Sequence, residues 1–263
     1  VTDYKSKDDK AALDKIRSIV DKIGSYPKAG FKRSETRIPE IEKDKIYSIL
    51  PKKITQPYDS YELIDSLVDH NSIDEYKKEY GQTIITCYAK IDGWSIGIVA
   101  NQRSMVKSKN GEMQFGGVIY GDAADKATRF IANCNQKNIP LVFLQDVTGF
   151  MVGSKAEHSG IIKDGAKMVN AVANSVVPKF TIIIGNSFGA GNYAMCGKAF
   201  DPRLIVAWPT AKIAVMGGSQ AAEVLLQIEK SSALKNGEQL DEKKESLMKE
   251  KIKRKYDGKS DVV

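Results

Sequence analysis

The sequence has few cysteines and histidines, two side chains that often act in catalysis or bind metal ions. Its 263 residues include three cysteines and two histidines. Cys87, Cys134 and Cys196 are far apart and form no CxxC pair, which argues against a structural zinc site and against a secreted disulfide scaffold. With 42% hydrophobic residues, a chain of this length can bury a core without cross-links. We therefore expect free thiols, no bound metal and a reducing compartment.

Long apolar runs are also missing. No stretch of about 18 apolar residues occurs, so we expect no membrane span. The first ten residues are charged and lack both an apolar signal-peptide core and an initiator Met. This start predicts a processed chain or a piece of a longer one. We expect a cytoplasmic protein, or a mitochondrial matrix protein if the source is eukaryotic.

Histidine-based catalytic motifs are absent as well. There is no GxSxG elbow and no HExxH, which disfavours a Ser–His hydrolase and a zinc hydrolase. His70 lies in a polar stretch after a predicted helix, and His158 follows a Gly-rich loop, so both are expected on the surface. Cys196 lies in a predicted apolar helix and is expected in the core. Any chemistry has to come from main-chain electrostatics.

The formal charge of +7, with a pI of about 9.0, raises the possibility of nucleic-acid binding. The excess of Lys and Arg is dispersed and lies mostly in the flanking segments, which favours a solvated surface. A non-catalytic basic binding module is therefore kept as an alternative. We expect no nucleic-acid partner.

The chain is predicted to contain three parts. Residues 1–58 form an N-terminal arm with an amphipathic helix at 8–24, ended by Gly24, and a short helix near 44–50. Residues 59–230 form the core domain, which opens with a helix at 60–69. Residues 231–263 form a charged tail, either a helical hairpin that turns at Gly237 or a frayed end.

The core is predicted to be α/β. Residues 82–91 and 94–101 form a hairpin around Asp92-Gly93, because this pair supplies the positive φ that tight turns need. The remaining elements alternate between helices and apolar strands, which indicates a sheet covered by helices. The predicted helices are 122–136, 160–175 and 219–230, and the predicted strands are 141–145, 180–184, 204–208 and 212–216.

Two glycine-containing segments follow predicted strands, where open α/β sheets place their ligands. The first is residues 146–153, which can also be an ordinary strand-to-helix loop. The second is a predicted turn at residues 185–191, before a helix that starts at Asn192. Small residues there leave main-chain N–H groups uncovered at a helix N-terminus, where they can stabilise a developing negative charge. Tight helix–strand packing is the structural alternative. Neither segment matches GxGxxG or a P-loop.

Four segments, in this order, resemble the carboxyltransferase subunit of biotin-dependent acyl-CoA carboxylases of the methylcrotonyl-CoA and propionyl-CoA type. They are residues 139–153 (IPLVFLQDVTGFMVG), 163–169 (KDGAKMV), 187–197 (SFGAGNYAMCG) and 208–222 (WPxAxIxVMGGxQAA). The resemblance implies a crotonase-like α/β fold of repeated ββα units, here preceded by a helical arm. It also implies that this chain corresponds to the C-terminal half of such a subunit.

The resemblance further implies that this half binds carboxybiotin, while the N-terminal half of a partner subunit binds the acyl-CoA. The main-chain amides of Ala190 and Gly191 would form an oxyanion hole for the biotin ureido oxygen. Thr148, Gly149, Phe150, Gly189 and Asn192 would complete the biotin site, and no metal is expected. Lys249 lacks a Met-Lys-Met context, so biotin would arrive on a separate carrier.

The implied partners are a biotin carboxylase and carrier subunit, the N-terminal carboxyltransferase half, and further copies in a trimer or hexamer. A biotin-dependent acyl-CoA decarboxylase, of the glutaconyl-CoA or malonyl-CoA type, uses the same loops and is the alternative within the family. The identity of the acyl group is not encoded in these motifs.

Overall fold

The structure is a computed structural model and describes residues 4–23, 33–51, 56–235 and 242–260. The chain divides into two compact units, Val1–Gly30 and Phe31–Val263. The first unit contains helix α1 (Asp9–Ile23), which confirms the predicted helix. Asp8 caps it, since its Oδ1 accepts a hydrogen bond from the Ala11 amide at 2.7 Å. The predicted Gly24 cap and Gly237 turn lie outside the described residues.

The second unit contains the other elements. Its helices are α2 (Ile46–Ile49), which follows a 3-10 turn at Lys43–Lys45, α3 (Ser60–Asp65), α4 (Gly121–Gln136), α5 (Ser154–His158), α6 (Ile161–Ala173), α7 (Gly189–Ala194), α8 (Gly218–Lys235) and α9 (Glu242–Asp257). Its strands are β1 (Asp74–Glu75), β2 (Ile84–Ile91), β3 (Trp94–Asn101), β4 (Val106–Lys107), β5 (Met113–Gln114), β6 (Val118–Ile119), β7 (Leu141–Val147), β8 (Gly149–Phe150), β9 (Lys179–Phe188), β10 (Leu204–Ala207) and β11 (Lys212–Ala214). No described helix is long and apolar enough to cross a bilayer.

A seven-stranded mixed sheet organises this unit, in the order β1-β2-β3-β7-β9-β10, with β11 also paired to β9. The predicted hairpin forms its antiparallel part, and the turn residues Asp92 and Gly93 have φ values of 50° and 76°. The strands β3, β7, β9, β10 and β11 pair in parallel. Parallel neighbours need crossover connections, and α4 and α6 lie in the two that link β3, β7 and β9. The observed architecture is the mixed α/β fold predicted from the sequence.

Both faces of the sheet are buried, because successive strand residues point to opposite sides. On one face, Phe143 of β7 packs in a cluster with Phe130 and Met168, which come from α4 and α6. On the other face, Leu144 packs in a cluster with Leu63 of α3. Strands buried on both sides explain the continuous apolar runs in the sequence.

The greatest difference from the sequence prediction concerns the segment 185–191. It is not a turn: β9 continues to Phe188, and α7 begins at Gly189 rather than at Asn192. The reason is pairing on both sides, since Ser187 of β9 pairs with Val147 of β7 and with Ile213 of β11. Main-chain pairing with two neighbours overrides the low strand propensity of this small-residue segment.

Smaller corrections concern individual residues. The helix predicted at 60–69 ends at Asp65. His158 is exposed as expected but belongs to the short helix α5 rather than to a loop. Cys196 is buried as expected, yet it follows α7 with a φ of 59° and is not inside a helix. In the described part of the tail, residues 231–235 continue α8 and residues 242–257 form α9, and the ion pairs Lys230–Glu245 and Lys249–Glu223 link the two helices.

Candidate functional site

The site lies at the ends of β7 and β9, next to the buried ion pair between Arg103 and Asp146. Nε of Arg103 lies 3.2 Å from Oδ2 of Asp146, the sixth residue of β7, and their side chains are only 8% and 4% exposed. Asp146 also accepts hydrogen bonds from the Asn186 amide at 2.9 Å and from the Tyr58 hydroxyl at 3.2 Å. Burial raises the pKa of Asp146, while the Arg103 guanidinium and these two donors oppose that shift.

Glycines make room for this ion pair. A β-carbon at Gly117 would lie 2.1 Å from a guanidinium nitrogen of Arg103, and one at Gly185 would lie 2.4 Å from an Asp146 carboxylate oxygen. Gly117 also has a φ of 74°, which favours glycine. Arg103, the partner of Asp146, belongs to a segment distant in the sequence. The motif around Asp146 therefore does not predict this ion pair.

The loop after β7 is held by hydrogen bonds to Gly117. The carbonyl oxygen of Gly117 accepts hydrogen bonds from both the amide and the hydroxyl of Thr148, at 2.8 and 3.0 Å. The next two residues form β8 and pair in parallel with β6. Thr148 therefore anchors the loop, and Gly149, with a φ of 143°, has open space where a side chain would be.

The ring of Phe150 packs against α6. A β-carbon at Gly165 would lie 3.0 Å from Cε1 of that ring, so the glycine leaves the space that the ring needs. The ring then forms one wall of a cavity of about 350 Å³. The cavity is lined mostly by apolar groups: Phe150, Met151, Val152, Glu157, Ile161, Ile162, Gly165, Ala166, Val169 and Ala190.

Much of the cavity wall comes from α6, which sequence reasoning missed. Ile162, Ala166 and Val169 recur at helical spacing along α6, and all three line the cavity. The buried face of the helix is formed by Ile161, Gly165, Met168 and Val172. A periodic apolar stripe predicts a helix, but it does not tell a core face from a cavity face.

The N-terminus of α7 reaches the cavity through Ala190. Gly189 has a φ of 52°, Ala190 is exposed and Gly191 is buried. The N-cap residue Phe188 has no side-chain acceptor for the first amides. Within the described parts of the chain, the amides of Ala190 and Gly191 make no hydrogen bond to another element. Ala190 therefore brings the start of α7 to an apolar cavity, and the buried Gly191 follows it in the same helical turn.

The predicted site residues are therefore close together but not equivalent. Phe150 and Ala190 line the cavity, while Thr148, Gly149, Gly189 and Gly191 lie within two residues of them in the chain. Asn192 is engaged within the protein, since its Nδ2 donates to Oγ of Ser187 at 2.7 Å. In the described ranges, no group of three or more His, Cys, Asp or Glu side chains is arranged to hold a metal ion.

Comparison with known proteins agrees with this architecture. A family model described as the carboxyl transferase domain matches residues 1–261. The chain is 41% identical over 262 residues to a methylcrotonoyl-CoA carboxylase beta chain, described as mitochondrial, from Dictyostelium discoideum, and this match covers 100% of the chain and 42% of that protein. The chain thus spans less than half the length of this relative.

Solved structures show the same fold. The beta subunit of geranyl-CoA carboxylase from P. aeruginosa superposes with a TM-score of 0.76 at 33% identity, covering 99% of this chain and 46% of that one. Transcarboxylase 12S, described as a hexamer with methylmalonyl-coenzyme A and methylmalonic acid bound, superposes with a TM-score of 0.69 at 32% identity, covering 90% and 40% of the two chains. These likenesses confirm the crotonase-like fold that the sequence motifs implied.

Proposed function

Because the chain belongs to the carboxyl transferase domain family, we propose that it is the carboxybiotin-binding half of a biotin-dependent acyl-CoA carboxylase. In this proposal the carboxyl group passes to an acyl-CoA that the N-terminal half of a partner subunit holds. The observation that carries the proposal is that Ala190, in the first turn of α7, and Phe150 line the same apolar cavity. The chain alone would be incomplete as an enzyme.

The residues present suit the bicyclic ring of biotin. The ring is mostly apolar with one ureido group, and the cavity offers mostly apolar walls that include Ala190 in the first turn of α7. When bound, carboxybiotin supplies the carboxyl group that is transferred. The amides of Ala190 and Gly191 would donate hydrogen bonds to the ureido oxygen as negative charge develops there, since both donors are fixed before the reaction.

The other predicted site residues have supporting roles in this proposal. Phe150 forms the cavity wall and keeps water from the ring, and Thr148 fixes the loop that carries Phe150. Gly149 and Gly189 have backbone conformations that favour glycine and let a ligand approach the main chain. Asn192 lies directly after the two donor amides in α7.

A further observation supports completion of the site by a second domain. Val152, Ile162 and Val215, around the cavity and the start of α7, are 76%, 74% and 87% exposed. Apolar groups clustered around a cavity mouth are typical of a surface that another domain covers. The proposed cover is the acyl-CoA-binding half of a partner subunit, in a trimeric or hexameric assembly that also receives biotin on a separate carrier.

Ala190→Pro tests the donor assignment, because proline at this position removes one amide while leaving the rest of the helix in place. The carboxylase that contains this chain should still assemble but lose about 100- to 1,000-fold in carboxyl transfer to methylcrotonoyl-CoA. Ser219→Pro is the matched control, since Ser219 is also the exposed second residue of a helix that follows a strand. Unchanged turnover in Ala190→Pro rejects the proposed oxyanion hole.

A further inference from the structure

We propose that Gln145, Ser187 and Asn192 are positioning residues that hold α7 at the angle its two donor amides require. This inference rests on the proposed function, because it assigns to these side chains the orientation of the oxyanion hole. They touch neither the cavity nor a reacting atom, so their effect is transmitted through the helix.

The three side chains form a continuous hydrogen-bonded chain. Nδ2 of Asn192 donates to Oγ of Ser187 at 2.7 Å, and this hydroxyl donates to Oε1 of Gln145 at 2.6 Å. Nε2 of Gln145 then donates to the carbonyl oxygen of Met195 at 2.5 Å. The chain starts on α7, crosses β9 and β7, and returns to the residue that ends α7. Both ends of one helical turn are thereby tied to the central strands.

This helix needs external support more than a long helix does. It has six residues, and its N-cap residue offers no side-chain hydrogen bond. A helix this short has little stability of its own, so its orientation is set by what it packs against. Gln145 and Ser187 are fully buried, which makes their hydrogen bonds strong and their directions fixed.

The residue that faces Asn192 is consistent with this role. A β-carbon at Gly197 would lie 2.0 Å from Oδ1 of Asn192, so only glycine leaves room for the Asn192 amide. The amide of Gly197 also donates to the main-chain oxygen of Asn192 at 2.8 Å. Asn192 is thus fixed from both sides, and its side chain can transmit a displacement of β9 or β7 directly to α7.

The test compares two buried hydroxyls on the same strand. Thr181 and Ser187 both lie in β9, are both fully buried, and each donates one hydrogen bond, but Thr181 donates to the carbonyl oxygen of Cys196, beyond α7. Ser187→Ala removes the hydroxyl that accepts from Asn192 and donates to Gln145, while Thr181→Val removes the single bond to Cys196. Both variants should lower the melting temperature of the assembled carboxylase, and Ser187→Ala should lower it more because it leaves two polar partners unsatisfied.

Carboxyl transfer should separate the two variants. The assay is the reverse reaction, in which a carboxylated acyl-CoA gives its carboxyl group to free biotin and leaves as the acyl-CoA. In Ser187→Ala, kcat for this reaction should fall by about 10- to 100-fold with little change in the KM for biotin, because small displacements of donors affect the transition state most. Thr181→Val should stay within a factor of about two of the wild type, and Ser187→Thr, which keeps the hydroxyl, should recover most of the loss.

Equal kcat values in Ser187→Ala and Thr181→Val overturn the inference while leaving the proposed function intact. A wild-type complex without any carboxyl transfer rejects the proposed function and the inference together. If Ser187→Ala fails to assemble, Asn192→Ala repeats the comparison at a less buried position. Wild-type kcat in Asn192→Ala then counts against the positioning role.

Discussion

Gly191 and Val147 bring α7 and β7 into closer contact than any residue with a side chain allows. A β-carbon built on Gly191 would lie 2.6 Å from Cγ2 of Val147 and 3.4 Å from Cα of Gly149. Such a distance is well inside van der Waals contact, so the helix start touches both the strand and the loop that leads to Phe150. The start of α7 and the loop that carries Phe150, which form the proposed biotin site, therefore meet at Gly191.

We expect Gly191→Ala to push α7 away from β7. Overpacking of this kind destabilises proteins by about 1–3 kcal/mol, and here it also displaces a donor amide. Carboxyl transfer by the assembled enzyme should fall, and urea unfolding should show the stability loss. The double variant Gly191→Ala/Val147→Ala restores the space and should regain part of the activity. A double variant no more active than Gly191→Ala contradicts this steric explanation.

Removing one partner of the buried ion pair should be costly. In Arg103→Met, Asp146 keeps a buried carboxylate without its cation, and such changes cost about 3–5 kcal/mol. The surface pair Arg33–Asp92, with side chains 49% and 58% exposed, provides the control. Arg33→Met should cost much less stability than Arg103→Met, because solvent screens an exposed pair. If the two variants unfold at the same urea concentration, burial does not make the Arg103–Asp146 pair more important for stability than the exposed pair.

The sequence predicts the elements whose pattern is local. The hairpin around Asp92-Gly93 and the helix α4 follow from turn chemistry and from apolar spacing, and both are confirmed. The start of α7 does not follow in this way, because Gly185 and Ser187 are typical of turns and extend β9 only through neighbours on both sides. Strand pairing of this kind is a tertiary property.

The candidate site shows the same division. Glycine-rich motifs at the strand ends predict where a ligand meets the sheet, and Phe150 and Ala190 do lie at one cavity. The partner of Asp146 and the anchor at Gly117 come from segments that carry no motif of their own, and the motif at 163–169 on α6 does not predict that this helix lines the cavity. Contacts between distant segments depend on packing, so local patterns do not reveal them.

The buried Lys126 should make stability depend on pH. Its side chain is fully buried in α4, and Nζ donates to the carbonyl oxygen of Lys77 at 3.5 Å. Burial lowers its pKa from 10.5 to about 8, against the opposing charges of Glu75 and Asp122. Between these values the unfolded chain binds the proton more than the folded one, so this group makes stability rise with pH.

Lys126→Met should therefore be more stable than the wild type at neutral pH, by at most about 3 kcal/mol. The difference should shrink as the pH rises from about 8 to about 10.5, where the lysine is neutral in both states. Urea unfolding of both proteins across this range measures it. The control is Lys163→Met, at an exposed position on α6. Its free energy of unfolding should differ from that of the wild type by the same amount at every pH in this range. A difference for Lys126→Met that does not change with pH contradicts the assigned burial cost.

The cavity itself can be tested by filling it. Ala166 is exposed on α6 and lines the cavity, so a leucine there places an isobutyl group where the biotin ring would bind and costs little stability. Ala166→Leu should raise the KM for free biotin in carboxyl transfer by about tenfold or more, with an unchanged melting temperature. Ala132→Leu, an exposed position on α4 away from the cavity, is the control and should behave as the wild type. If both variants keep the wild-type KM, the ring binds elsewhere, and the proposed roles of Phe150 and Ala190 are wrong.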